Sequence, residues 1–170
     1  MLFQPDYVKG TELCMLYPQL ILQYDCAGGV YMGGGIMFEI TIEDCKEALY
    51  PASCFRVLRN HYKIENPCMG FSGAIRRACI WGEASVIKNV EVCEKYYTMD
   101  KNNDYQVKNY LACIQGALAE GKQTNVQKSC DEFKISDSLY KDEIEALCSS
   151  NLKNRNRYPQ FLLEWFEELR

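Results

Sequence analysis

Ten cysteines stand at positions 14, 26, 45, 54, 68, 79, 93, 113, 130 and 148 of a 170-residue chain. Their number is even and they are spread evenly. The closest two in sequence, Cys45 and Cys54, still have eight residues between them. No C-x-x-C occurs, so the sequence lacks the local pair that zinc ribbons and thioredoxin-type redox sites require. Only one histidine, His61, is present to complete a Cys/His metal cluster. Ten buried thiols would be unusual in a reducing compartment. Disulfides accumulate where the environment is oxidising. The reading is therefore five disulfides drawn from Cys14, Cys26, Cys45, Cys54, Cys68, Cys79, Cys93, Cys113, Cys130 and Cys148, in a secreted, extracellular protein. Connectivity stays open, because ten cysteines allow about 945 pairings.

A chain of this length is long enough to bury a core as one domain, residues 1–170. The net charge of −4 disfavours nucleic acid, whose phosphates need clustered Lys and Arg. The densest basic run, Lys153-Asn154-Arg155-Asn156-Arg157, reads as a solvated loop. No apolar run approaches the ~18 residues of a membrane span. No basic segment leads into a long apolar core at the start, so no signal peptide is visible.

The stretch Cys26-Ala-Gly-Gly-Val-Tyr-Met-Gly-Gly-Gly-Ile36 holds five of the eleven glycines. A phosphate loop would need a helix immediately after the glycines, and a P-loop also needs Gly-Lys-Ser/Thr. Here Ile36-Met37-Phe38-Glu39-Ile40-Thr41-Ile42 follows, which reads as a strand. Nucleotide binding is rejected, and the glycines are read as a turn, a bulge or close packing. Leu20–Tyr24 is either the partner strand of a small hairpin or the end of a short helix. The first 40 residues are thus expected to be irregular or a small β-hairpin.

From residue 41 the pattern is helical. Thr41 is placed as an N-cap with acidic residues in the first turn. Pro51 ends that helix or restarts it. Ser72 caps a short helix that stops at Gly82. Apolar residues recur with helical spacing at Val86, Val90, Cys93 and Tyr97, and again at Val107, Tyr110, Leu111, Ile114 and Leu118. Further helices are expected near 123–134 and from Asp137 or Ser138 to Cys148. Pro159 fits the start of a last helix burying Phe161, Leu162, Trp165, Phe166 and Leu169. The fold class is mainly α: a disulfide-stapled helical bundle behind a Gly-rich N-terminal segment.

Catalytic and metal sites find little material. Asp100-Lys-Asn102-Asn-Asp104-Tyr105 alternates oxygen ligands, but the EF-hand's Gly and Glu positions hold Tyr105 and Leu111. It is read as a polar connection. A Cys–His nucleophile needs a free thiolate, which complete bridging removes, so His61 is read as a surface residue. Glu167 and Glu168 are adjacent and read as a solvated acidic face. No enzyme, metal or cofactor is expected. Twelve tyrosines hint at contact with a partner.

The C-terminal half carries Asn109-Tyr-Leu-Ala-Cys113, Cys130-Asp-Glu-Phe133, Tyr140-Lys-Asp-Glu-Ile144-Glu-Ala-Leu-Cys148 and Trp165. Over about residues 93–166 this resembles a nematode-expanded family of secreted, cysteine-rich helical domains of unknown function. The resemblance implies secretion and an all-helical fold, with no catalytic residues to carry over. The expected function is a non-enzymatic module that binds a protein partner. The alternatives are a carrier of a small apolar ligand and a helical structural protein of the mitochondrial intermembrane space.

Overall fold

The computed structural model describes residues 6–35, 40–61, 68–96, 103–119, 140–143, 145 and 159–168, apart from the side chains of Asn60 and His61. Helix α1 spans Tyr7–Cys14, α2 Leu20–Gly35, α3 Ile42–Glu47, α4 Pro51–His61 and α5 Gly73–Ile87. A 3-10 segment, Val90–Tyr96, leads towards α6, Asp104–Ala119, and α7 covers Gln160–Glu167. No strand occurs among the described residues.

The N-terminal expectation is corrected: residues 20–35 form a helix, not a β-hairpin or an irregular segment. Tyr24, Ala27, Gly28, Tyr31 and Gly34 are buried, at helical spacing, while Gly29 and Gly33 face outward. The buried aromatic face outweighs the roughly 1 kcal/mol that each interior glycine costs relative to alanine. Helices α1 and α2 form an antiparallel hairpin. Cys14 is bonded to Cys26, Gly10 lies against Val30, and the Tyr7 and Tyr31 ring centroids are 6.3 Å apart. A Cβ on Gly10 would stand 2.9 Å from Val30 Cγ1, so this position sets how closely the two helices approach.

The bridges pair consecutive cysteines: Cys14–Cys26, Cys45–Cys54, Cys68–Cys79 and Cys93–Cys113. Each ties neighbours in sequence, namely α1 to α2, α3 to α4, the turn at Cys68 to α5, and the 3-10 segment to α6. Among the described residues no cysteine is free; Cys130 and Cys148 lie outside them. Among the described residues the bridges therefore fix the local pairs, and packing with a few hydrogen bonds, such as Ser53 Oγ to Tyr24 O at 2.9 Å, joins one pair to the next.

That packing centres on α5, which is buried on nearly all sides between α4 and α6. Two glycines allow the close approach. A Cβ on Gly82 would meet the Arg56 backbone nitrogen at 2.9 Å, and one on Gly116 would meet the Trp81 carbonyl oxygen at 2.5 Å. Gly82 is thus a contact point and not the expected stop. The helix runs on to Ile87 and ends at Lys88, which adopts φ 57° and returns its N–H to Ala84 O. This turn also breaks the helix expected to continue through Val90 and Cys93.

Local signals at α3, α4 and α6 match the sequence reading. The Thr41 hydroxyl accepts from Asp44 N, and the Asp44 carboxylate accepts from Thr41 N at 2.7 Å, closing a capping box. The Asp44 carboxylate also accepts from the Thr41 hydroxyl at 2.7 Å, and this bond, followed by the one from Thr41 N, holds the carboxyl below its ordinary 3.8. A depressed folded value means the stabilisation is present above the unfolded value and is lost as pH falls below it. Urea midpoints measured from pH 6 down to pH 2 should fall in wild type, and Asp44→Asn should fall less over the window below about pH 4.

Gly29 offers the opposite test. Nothing lies within 4 Å of a Cβ placed there. Gly29→Ala should therefore stabilise the protein by about 0.5–1 kcal/mol through helix propensity and lower unfolded-chain entropy. Gly116→Ala, with a backbone oxygen in the way, should destabilise it. Thermal melts of the two variants should move in opposite directions.

Candidate functional site

The candidate site is the tip of the α1–α2 hairpin. From Leu13 to Tyr24 the chain reads LCMLYPQLILQY, with no charged side chain. Leu13, Met15, Leu16, Tyr17 and Leu22 are 64%, 58%, 80%, 47% and 40% exposed. Most other large apolar side chains of the described residues are buried or half-buried in one continuous core. Exposed apolar side chains scattered singly are ordinary, whereas five gathered at one turn mark an interaction surface.

The tip is rigidly built. The Cys14–Cys26 bridge closes its base, with Cα atoms 5.6 Å apart. Met15, Leu16 and Tyr17 donate their N–H groups to Glu12 O, Leu13 O and Cys14 O at 3.1, 3.1 and 3.2 Å. Gln23 Nε2 reaches across to Tyr17 O at 2.7 Å. These backbone groups already have partners, so covering the tip would strip little water from unpaired polar atoms. The bridge and these bonds fix the backbone of the turn, so little backbone ordering remains to be lost on contact.

The tyrosines divide between core and surface. Tyr24, Tyr31 and Tyr50 are at most 2% exposed. Tyr24 packs edge-on against Tyr50 with centroids 5.2 Å apart. Tyr17 is the tyrosine that reaches solvent within the tip.

Residues singled out from sequence take several positions. The cysteines at 14, 26, 45, 54, 68, 79, 93 and 113 are all bridged, so none of these eight can act as a thiolate. His61 closes α4, and its side chain lies outside the described residues, as do Asp100–Asn102 and Lys153–Arg157. Asn103 accepts from Gln106 N at 3.2 Å and Asp104 opens α6, the connecting role expected of them. Among the described residues no group of three or more His, Cys, Asp or Glu side chains is placed to hold a metal ion. No described helix is long and apolar enough to cross a membrane.

The acidic pair Glu167–Glu168 is a correction. Glu167 accepts from the Tyr24 hydroxyl at 2.7 Å. Glu168 accepts from Arg77 at 2.8 Å and from Lys108 at 2.8 and 3.0 Å. Both are held by groups on distant helices, which no local pattern signals. Sequence reasoning also passed over the tip, although its uncharged run was visible. The run is too short for a span, and only the hairpin shows which of its side chains stay in water.

The architecture defines a class: an all-α bundle stapled by consecutive disulfides and carrying, among the described residues, an apolar projecting turn. Compared with known proteins, the chain matches no family model, no curated protein and no solved structure.

Proposed function

We propose that this is a secreted, non-enzymatic interaction module that binds another protein through the α1–α2 tip. The observation that carries the reading is the outward projection of Leu13, Met15, Leu16, Tyr17 and Leu22 from a cross-linked base. Apolar anchors on a preorganised support are what high-affinity protein contacts use. Four bridges with no free thiol among the described residues favour an oxidising, extracellular setting. The resemblance of the C-terminal half to secreted helical domains points the same way. No two described helices share a pair of bridges, which gives the intermembrane-space reading no support.

The test is a binding screen against a displayed library of extracellular protein domains, run with wild type, Leu16→Asp and Met69→Asp. Met69 is 76% exposed and lies outside the tip. A partner retained by Met69→Asp and lost by Leu16→Asp is the expected result. Partners indifferent to Leu16→Asp would remove the tip from the mechanism. Micromolar uptake of a fluorescent fatty acid, unaffected by the tip variant, would support a ligand carrier instead.

A further inference from the structure

Helix α7 is eight residues long and is too short to be stable alone, since isolated helices below ~12 residues are marginal in water. No bridge among the described residues reaches it, because the four bridges all fall between Cys14 and Cys113. It is helical because it lies in a groove formed by α2 and α5. Leu162, Leu163 and Phe166 are fully buried and Trp165 is 6% exposed. The Phe166 ring lies 6.0 Å from Tyr24 and 6.2 Å from Trp81.

One end of the groove is polar. Arg77, on α5, is 3% exposed. It donates through Nε and Nη2 to the Trp165 carbonyl oxygen at 3.3 and 3.1 Å, and through Nη2 to Glu168 at 2.8 Å. Among the described residues, every acceptor of this guanidinium is therefore on α7 or its C-cap. Lys108, on α6, is 8% exposed and bonds both oxygens of Glu168; its other carboxylate among the described residues is Asp104, at 3.4 Å. Its ammonium also stands 5.5 Å from the Trp165 ring centroid. The two cations meet the orphan carbonyls and the negative end of a helix, together with a carboxylate just beyond it. The cations are buried while the Glu168 side chain is 41% exposed; ion pairs drawn out of water add little net stability over apolar packing, and their best-attested use is to fix one register among several. A groove with such a clamp selects what it holds.

We infer that the α2–α5 groove, with Arg77 and Lys108 at its end, is a binding site for a short amphipathic helix that carries adjacent aliphatic residues, adjacent aromatic residues and a carboxylate just past its last turn. Helix α7 is its resident occupant in cis, and a helix of the same chemistry on another chain is the partner it fits. The site is separate from the α1–α2 tip and does not depend on it.

The experiment uses the full chain and a fluorescein-labelled peptide of residues 159–168. Trp165→Ala/Phe166→Ala in the chain weakens the resident helix. Fluorescence polarisation should show the peptide binding this variant at least tenfold more tightly than wild type. Glu168→Gln in the peptide should weaken binding about tenfold. A variant that keeps its helical circular dichroism and its bridges yet takes up no peptide overturns the inference, and so does binding indifferent to Glu168→Gln. Should the variant lose its fold, hydrogen exchange of wild type decides. Amides of α7 exchanging at least tenfold faster than those of α5 support a separable occupant. Exchange of both at a single rate shows one cooperative unit and overturns it.

Discussion

In reductant, the helical circular dichroism of this protein is expected to collapse at room temperature. The four bridges close short loops, with sequence separations of 12, 9, 11 and 20 residues. Restricting the unfolded chain through loops of this size is worth about 3 kcal/mol each. Four together reach roughly 12 kcal/mol, comparable with the whole stability of a domain, about 5–15 kcal/mol. Apolar packing still joins the helices after reduction, but α3 and α7, of six and eight residues, have little helical stability of their own. Denatured protein should take up no alkylating reagent before reduction and ten equivalents after it, one for each cysteine. Uptake of two before reduction would assign free thiols to Cys130 and Cys148 and leave four bridges. Retention of helical signal and a cooperative melt in full reductant would show that packing suffices and that the bridges are secondary.

Trp81→Ala should lower stability by about 4 kcal/mol, the middle of the range for truncating a buried aromatic to alanine. Trp81 is fully buried at the midpoint of α5. Its ring touches Phe166 of α7, its indole N–H donates to Gln115 Oε1 of α6, and its backbone carbonyl faces Gly116. One side chain thus contacts two of the helices packed on α5, namely α6 and α7. The variant loses the transfer energy of the indole, leaves a cavity between α5, α6 and α7, and takes away a donor that Gln115 uses. A loss of this size changes the folding equilibrium nearly a thousandfold, at about 1.4 kcal/mol per tenfold. Urea titration should show a lower midpoint with an unchanged slope. Met69→Ala, at an exposed position, should stay within about 0.5 kcal/mol of wild type.

Some features were legible along the chain because their causes lie within one turn of it. The Thr41–Asp44 box, the restart at Pro51, the apolar stripe of α6 and the start of α7 beside Pro159 each depend on neighbours three or four residues away. Even cysteine number and the absence of C-x-x-C pointed to bridging. Spacing alone left the pairing open, and folding selected consecutive partners because each helical turnaround brings one cysteine beside the next.

Other features depend on residues far away in sequence. Five glycines read as a loop until Tyr24 and Tyr31 find Tyr50, Phe166 and Tyr7 to pack against. Gly82 reads as a helix stop until Phe55 and Arg56 of α4 need the space. Glu168 reads as a solvated acid until Arg77 arrives from 91 residues away and Lys108 from 60. The apolar tip is an interface candidate only because the hairpin turns those side chains away from the core.

The chain's own pattern thus determined a mainly helical, sulfur-linked bundle from residue 41 onward, because hydrophobic period and capping are local quantities and cysteine number is read directly. Tertiary structure alone decided which glycines are contacts, which acids are clamped and which apolar residues remain in water. Those properties belong to pairs of surfaces, and the second surface is absent from any single stretch of sequence.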